Sequence, residues 1–121
     1  MSQRVFIETY GCQMNEADTE LMHGLLRHKG YALAESADAA DVVLLNTCAV
    51  RERAEERIFG RLGWLKTLKA NKPGLVLGVT GCMAERMRGS LLKRAPYVDV
   101  VVGPDAYRRL PELLSQASDE P

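Results

Sequence analysis

Short apolar runs alternate along this chain with stretches whose apolar residues recur every three or four positions. Val5-Phe6-Ile7 is the first run, and Thr9-Tyr10-Gly11-Cys12 reads as the exit turn of a strand. Asn15 then suits an N-cap, Leu21, Met22, Leu25 and Leu26 keep helical spacing, and Gly30 supplies the stop. Tyr31 to Ala34 reads as a short second strand, followed by the acidic turn Glu35 to Asp41. Val42-Val43-Leu44-Leu45 is continuously apolar, as in a strand buried on both faces, and it ends at Asn46-Thr47-Cys48. Ala54, Ile58, Leu62, Leu65 and Leu68 share one face of a long helix, weakened at Gly60 and Gly63 and ended by Pro73-Gly74. Leu75 to Val79 is the next strand, closing at Thr80-Gly81-Cys82. Ala84, Met87, Leu91 and Leu92 predict one further helix, stopped before Pro96. Val98 to Val102 predicts a last strand, and Leu110, Leu113 and Leu114 a terminal helix with Pro111 in its first turn. From Ser115 onward the chain is polar and without period, so residues 1–115 read as one domain and 116–121 as the start of a linker.

Alternating strands and helices, with strands apolar throughout, imply a parallel sheet covered on both faces. The expectation is an α/β fold of three layers, α-β-α, with about five strands in the flavodoxin-like order 2-1-3-4-5. In that order strands 1, 3 and 4 are neighbours, and ligands bind outside their carboxyl ends, where the strand order switches direction.

Composition narrows the function classes. Lys plus Arg (16) equal Asp plus Glu (16), so no global basic field points to nucleic acid. The one local excess lies between Arg51 and Lys72, with seven Lys/Arg against three Asp/Glu. It reads as a solvated helix face, with a face toward RNA or toward another domain as the alternative. No apolar run approaches the roughly 18 residues of a membrane span. The beginning carries Arg4 and Glu8 without a signal-like apolar stretch, so a cytoplasmic location with reduced thiols is expected.

Those thiols are the candidate chemistry. Cys12, Cys48 and Cys82 each follow Gly or Thr at a strand exit, at steps of 36 and 34 residues. Each step is about one strand–helix–strand unit, so the three converge on one rim of the sheet. Buried cysteines acting as small hydrophobes are the ordinary alternative, but none of the three lies inside an apolar run. Three converging thiolates suit a soft metal or an iron–sulfur cluster with one open iron. Structural zinc, which takes four protein ligands, suits them less. An odd count also excludes a complete disulfide framework. His23 and His28 fall within or at the end of the first helix and read as solvated positions. Cys82 and Arg88 match the C-x5-R spacing of cysteine-dependent phosphatases, but Met83 to Met87 are bulky, include Glu85 and read as helix rather than a phosphate-wrapping loop.

Three segments carry a family resemblance: Thr9-Tyr10-Gly11-Cys12-Gln13-Met14-Asn15, Asn46-Thr47-Cys48-Ala49-Val50-Arg51 and Gly78-Val79-Thr80-Gly81-Cys82-Met83-Ala84-Glu85. In this order they resemble the N-terminal domain of the radical S-adenosylmethionine methylthiotransferases, over about residues 3 to 115. The resemblance implies that Cys12, Cys48 and Cys82 ligate an auxiliary 4Fe–4S cluster whose open iron carries the sulfur to be inserted. Tyr-Gly-Cys-Gln-Met-Asn looks most like the branch that modifies tRNA, at carbon 2 of isopentenyl-adenosine beside the anticodon. The ribosomal-protein branch, which modifies an aspartate, is the alternative within the family. Outside it, the alternative is a non-enzymatic redox or metal-binding module. Asn15, Asn46 and Arg51 belong to the same motifs and either support the cluster loops or act as a cap, a turn residue and a solvated first-turn residue. The chain has no C-x3-C-x2-C loop. By the resemblance, the second 4Fe–4S cluster and S-adenosylmethionine belong to an absent radical domain, and tRNA contact also involves an absent RNA-binding domain. No catalytic residue is assigned within this chain.

Overall fold

The computed structural model describes residues 3–10, 13–47 and 52–119. Five parallel strands, β1 (Arg4–Thr9), β2 (Ala32–Leu33), β3 (Val42–Thr47), β4 (Val76–Gly81) and β5 (Val100–Val102), form one sheet in the order β2-β1-β3-β4-β5. This is the expected flavodoxin-like order. The helices are α1 (Gln13–His28), α2 (Glu52–Asn71), α3 (Cys82–Arg86), α4 (Arg88–Arg94) and α5 (Leu110–Asp119), with 3₁₀ turns at Ala37–Ala39 and Pro104–Arg109.

Side-chain alternation divides the core into two layers around the sheet. Val42 and Leu44 join Val5, Ile7, Val76, Val100 and Val102 beneath Met22 and Leu26 of α1 and Leu110 and Leu114 of α5. Val43 and Leu45 turn the other way, with Leu77 and Val79, onto Ile58, Leu62 and Leu65 of α2, Met83 of α3 and Leu91 of α4. Every residue of β3 and β4 is buried, which is why the central strands lack polar alternation until their last positions.

The helix ends follow local chemistry. Gly30, at φ +96°, ends α1 in a Schellman arrangement: the Tyr31 N–H donates to Leu26 O and the Gly30 N–H to Arg27 O, both at 3.0 Å. Gly60 and Gly63 leave α2 uninterrupted, since it runs unbroken to Asn71.

The structure corrects several sequence expectations. Helix α1 begins at Gln13, so Asn15 lies inside its first turn and is not the N-cap. The single helix expected after Cys82 is two, broken at Met87 (φ −109°, ψ 16°); Leu91 and Ala95 are buried while Leu92 is exposed. Strands β3 and β4 continue through Asn46-Thr47 and Thr80-Gly81, which the sequence assigns to turns. Strand β5 starts only at Val100, and α5 continues to Asp119 because Ala117 extends the Leu110–Leu113–Leu114 stripe onto the core.

Candidate metal centre

The parallel register aligns the ends of the three central strands. Thr9 pairs with Asn46, Asn46 with Thr80, and Thr47 with Gly81. Neighbouring strands lie about 4.8 Å apart, so the exits of β1, β3 and β4 are side by side at one rim. Cys82 follows Gly81 there as the first residue of α3, and its thiol is exposed and free. Cys12 and Cys48, with Arg51, lie outside the described residues. Among the described residues no three His, Cys, Asp or Glu side chains assemble into a metal-binding group. A three-cysteine site with Cys82 would take its other two ligands, Cys12 and Cys48, from outside the described residues.

Beneath the rim, the last row of the sheet on the α1/α5 face is polar. Rows built from Val5, Val42 and Val76, and from Ile7 and Leu44, give way to Thr9, Asn46 and Thr80. Thr19 of α1 joins that row. It shares a 2.7 Å hydrogen bond with the Thr9 hydroxyl and accepts one of 2.8 Å from Asn46 Nδ2. The Thr80 hydroxyl donates to Asn46 Oδ1 at 3.3 Å. On the opposite face, the Thr47 hydroxyl donates to the Thr80 carbonyl at 2.7 Å. Thr19, Asn46, Thr47 and Thr80 are all buried, where hydrogen bonds offset the desolvation of polar groups. Asn46 is thus a strand residue clamping α1, β3 and β4, in place of the turn role read from sequence.

Gly81 allows the closest approach at the rim. It sits at φ +102°, and a Cβ there would stand 1.9 Å from the Thr47 carbonyl oxygen. Only a residue without a side chain lets β4 leave the sheet against β3 in this way.

Beyond β1, the Tyr10 hydroxyl donates to Glu8 Oε1 at 2.6 Å. Arg61 of α2 grips the same carboxylate, with Nε at 2.9 Å from both oxygens and an Nη at 2.5 Å from Oε2. Burial and the Glu8 hydrogen bond push the Tyr10 pKa up to about 12. Three cations of this segment are in ion pairs: Arg61 with Glu8 and Lys69 with Asp99 on α2, and Lys72, just beyond it, with Asp41. These pairings neutralise part of the local basic excess counted in the sequence.

On the α1/α5 side Tyr107 is 4% exposed, and its hydroxyl is buried with no hydrogen-bond partner among the described residues. Burial, then the charges of Asp18 and Cys82, push its pKa up to about 12. The Thr80 side chain acts in the opposite direction. The phenol is therefore kept neutral, buried on the α1/α5 side of the sheet. Sequence reasoning missed Thr19 and Tyr107. Each does continue an apolar stripe, Thr19 with Met22 and Leu26, Tyr107 with Leu110 and Leu114, and a polar atom on a buried stripe was the available signal.

Two other motifs resolve simply. Residues 83–86 are helical with Met83 and Ala84 buried, so the C-x5-R spacing forms no phosphate loop. His28 is exposed at the end of α1, and His23 is half-buried on the same helix.

The family described as "Uncharacterized protein family UPF0004" matches residues 4–103. The tRNA-2-methylthio-N(6)-dimethylallyladenosine synthase of Chloroherpeton thalassium is 56% identical over 114 residues, 94% of this chain and 25% of the relative. The enzymes of the same name from Vibrio cholerae and Bacillus subtilis are 52% and 53% identical, over 100% and 95% of this chain. The chain spans about a quarter of the length of these curated relatives.

Proposed function

This chain belongs to the UPF0004 family, and from that premise we propose that it is the cluster-bearing N-terminal domain of a tRNA methylthiotransferase. In this reading Cys12, Cys48 and Cys82 hold a 4Fe–4S cluster as thiolates in a reducing, cytoplasmic compartment. The observation that carries it is the strand register, which brings the exits leading to all three cysteines to one rim. The exposed Cys82 thiol at this rim fits a thiolate ligand. The relatives' shared name supports tRNA as the substrate, with modification at carbon 2 of isopentenyl-adenosine. The rest of the enzyme would supply S-adenosylmethionine, a second 4Fe–4S cluster and most of the RNA contact.

The cluster, when bound, supplies the sulfur for insertion. The chain's own residues hold the rim in place. Thr19, Asn46 and Thr80 lock α1 to the ends of the central strands, Gly81 lets β4 exit tightly against Thr47, and Glu8 with Arg61 ties the β1 exit to α2. The apolar layers below keep water from the inner side of the rim.

Anaerobic reconstitution with iron and sulfide tests the reading. About four irons per chain and the optical and paramagnetic signature of a 4Fe–4S centre are expected. Cys12→Ala, Cys48→Ala or Cys82→Ala should each lose most of that iron. A full complement of iron in all three single variants would overturn the assignment.

A further inference from the structure

We propose that the linked side chains of Thr9, Thr19, Asn46 and Thr80 are positioning residues for the three cysteines, an inference that rests on the cluster reading above. Each strand that leads to a cysteine contributes its last residue on the α1/α5 face. Thr9 stands three residues before Cys12, Asn46 two before Cys48, and Thr80 two before Cys82. Hydrogen bonds join the three without a gap. The Thr80 hydroxyl donates to Asn46 Oδ1 at 3.3 Å, Asn46 Nδ2 donates to the Thr19 hydroxyl at 2.8 Å, and Thr19 shares a 2.7 Å bond with Thr9. Thr19, on α1, thereby bridges β1 to β3. Burial does not call for this row. Thr19, Asn46 and Thr80 are 8% exposed or less, and the rows beneath them are closed by valine, isoleucine and leucine. An apolar row of the same shape would close the layer at little cost, because a buried hydrogen bond is nearly matched by two apolar groups of equal shape. What the hydrogen bonds add is direction. Apolar contacts are non-directional, whereas a donor and its acceptor keep narrow distances and angles. A buried network whose members are all satisfied specifies one arrangement of the strands that carry it. Three thiolates closing on one metal group need that precision, since ligands must be held to within about 0.5 Å of the productive geometry.

Cadmium ion binding to the iron-free chain tests this without iron or turnover. It is titrated anaerobically against a competing chelator and read by thiolate-to-cadmium absorbance, since a soft metal selects thiolates. Thr19→Val, Asn46→Leu and Thr80→Val combined make the row apolar with its shape kept. This variant should fold, by its urea transition, and bind cadmium roughly tenfold more weakly than the parent. A folded triple variant with the parent's cadmium affinity overturns the inference. Thr19 decides independently, and also where the triple variant does not fold. Thr19→Ser keeps the hydroxyl and Thr19→Val keeps the shape. The serine variant should match the parent in cadmium affinity, and the valine variant should fall below it by roughly tenfold. Equal affinities in the two overturn the inference. A purely structural role would lower the urea midpoint of Thr19→Val and leave its cadmium affinity in place. The two readings fail separately. If Cys82→Ala binds cadmium as tightly as the parent, the three-cysteine site falls. If Cys82→Ala loses that binding while Thr19→Val keeps it, only the positioning role falls.

Discussion

Gly81 shows how much a single residue decides at this rim. Its positive φ is poorly accessible to an L side chain, and the space a Cβ would need is filled by the Thr47 carbonyl. Gly81→Ala combines backbone strain with a clash against a strand that cannot retreat without breaking its own pairing. A loss of about 3 kcal/mol or more is expected, measured by urea denaturation of the iron-free chain. The loaded chain should also lose iron, because β3 and β4 must separate where their exits meet. Gly11 and Gly81 precede Cys12 and Cys82 in the sequence, so a need for small residues there was legible. That Gly81 faces the Thr47 carbonyl was not, because the contact is between residues 34 apart in the chain.

At the scale of elements, α1 carries both the clamp on the strand ends and a pH dependence. Burial of His23, reinforced by nearby Arg27 and only partly opposed by Glu20, lowers its pKa from 6.5. The folded state therefore holds this proton less tightly than the unfolded state. As pH falls below about 6.5 the unfolded chain protonates first, and stability declines until the folded pKa is passed. Urea midpoints compared at about pH 7.5 and pH 5.5 should show this loss, and His23→Gln should reduce it. The apolar spacing of α1 was readable from Leu21, Met22, Leu25 and Leu26, but its start was not. The expected N-cap Asn15 lies inside the helix, which begins two residues earlier at Gln13. The break at Met87 was hidden for a related reason. The sequence between Cys82 and Arg94 holds no proline and keeps helical spacing on both sides of the bend.

Across the whole molecule, the prediction concerns what these residues leave undone. The chain has three cysteines and no C-x3-C-x2-C loop, which the resembling family uses for reductive cleavage of S-adenosylmethionine. Given reductant, S-adenosylmethionine and substrate tRNA, the reconstituted chain should form no 5′-deoxyadenosine and no methylthiolated nucleoside. Chromatography of the reaction checks both, and either product from these 121 residues would place the chemistry within them. The alternation of apolar runs with helical spacing by itself determined a covered parallel sheet, and the favoured order among the few that right-handed crossovers admit is the one found. It also put each of the three cysteines after an expected strand exit, of which Cys82, directly after β4, falls among the described residues. Tertiary structure alone decided the polar row of Thr9, Asn46 and Thr80, its partner Thr19, and the place of the Tyr107 hydroxyl. Periodicity reports which face a residue takes, whereas hydrogen bonding depends on the register between strands and on where a distant helix comes to rest.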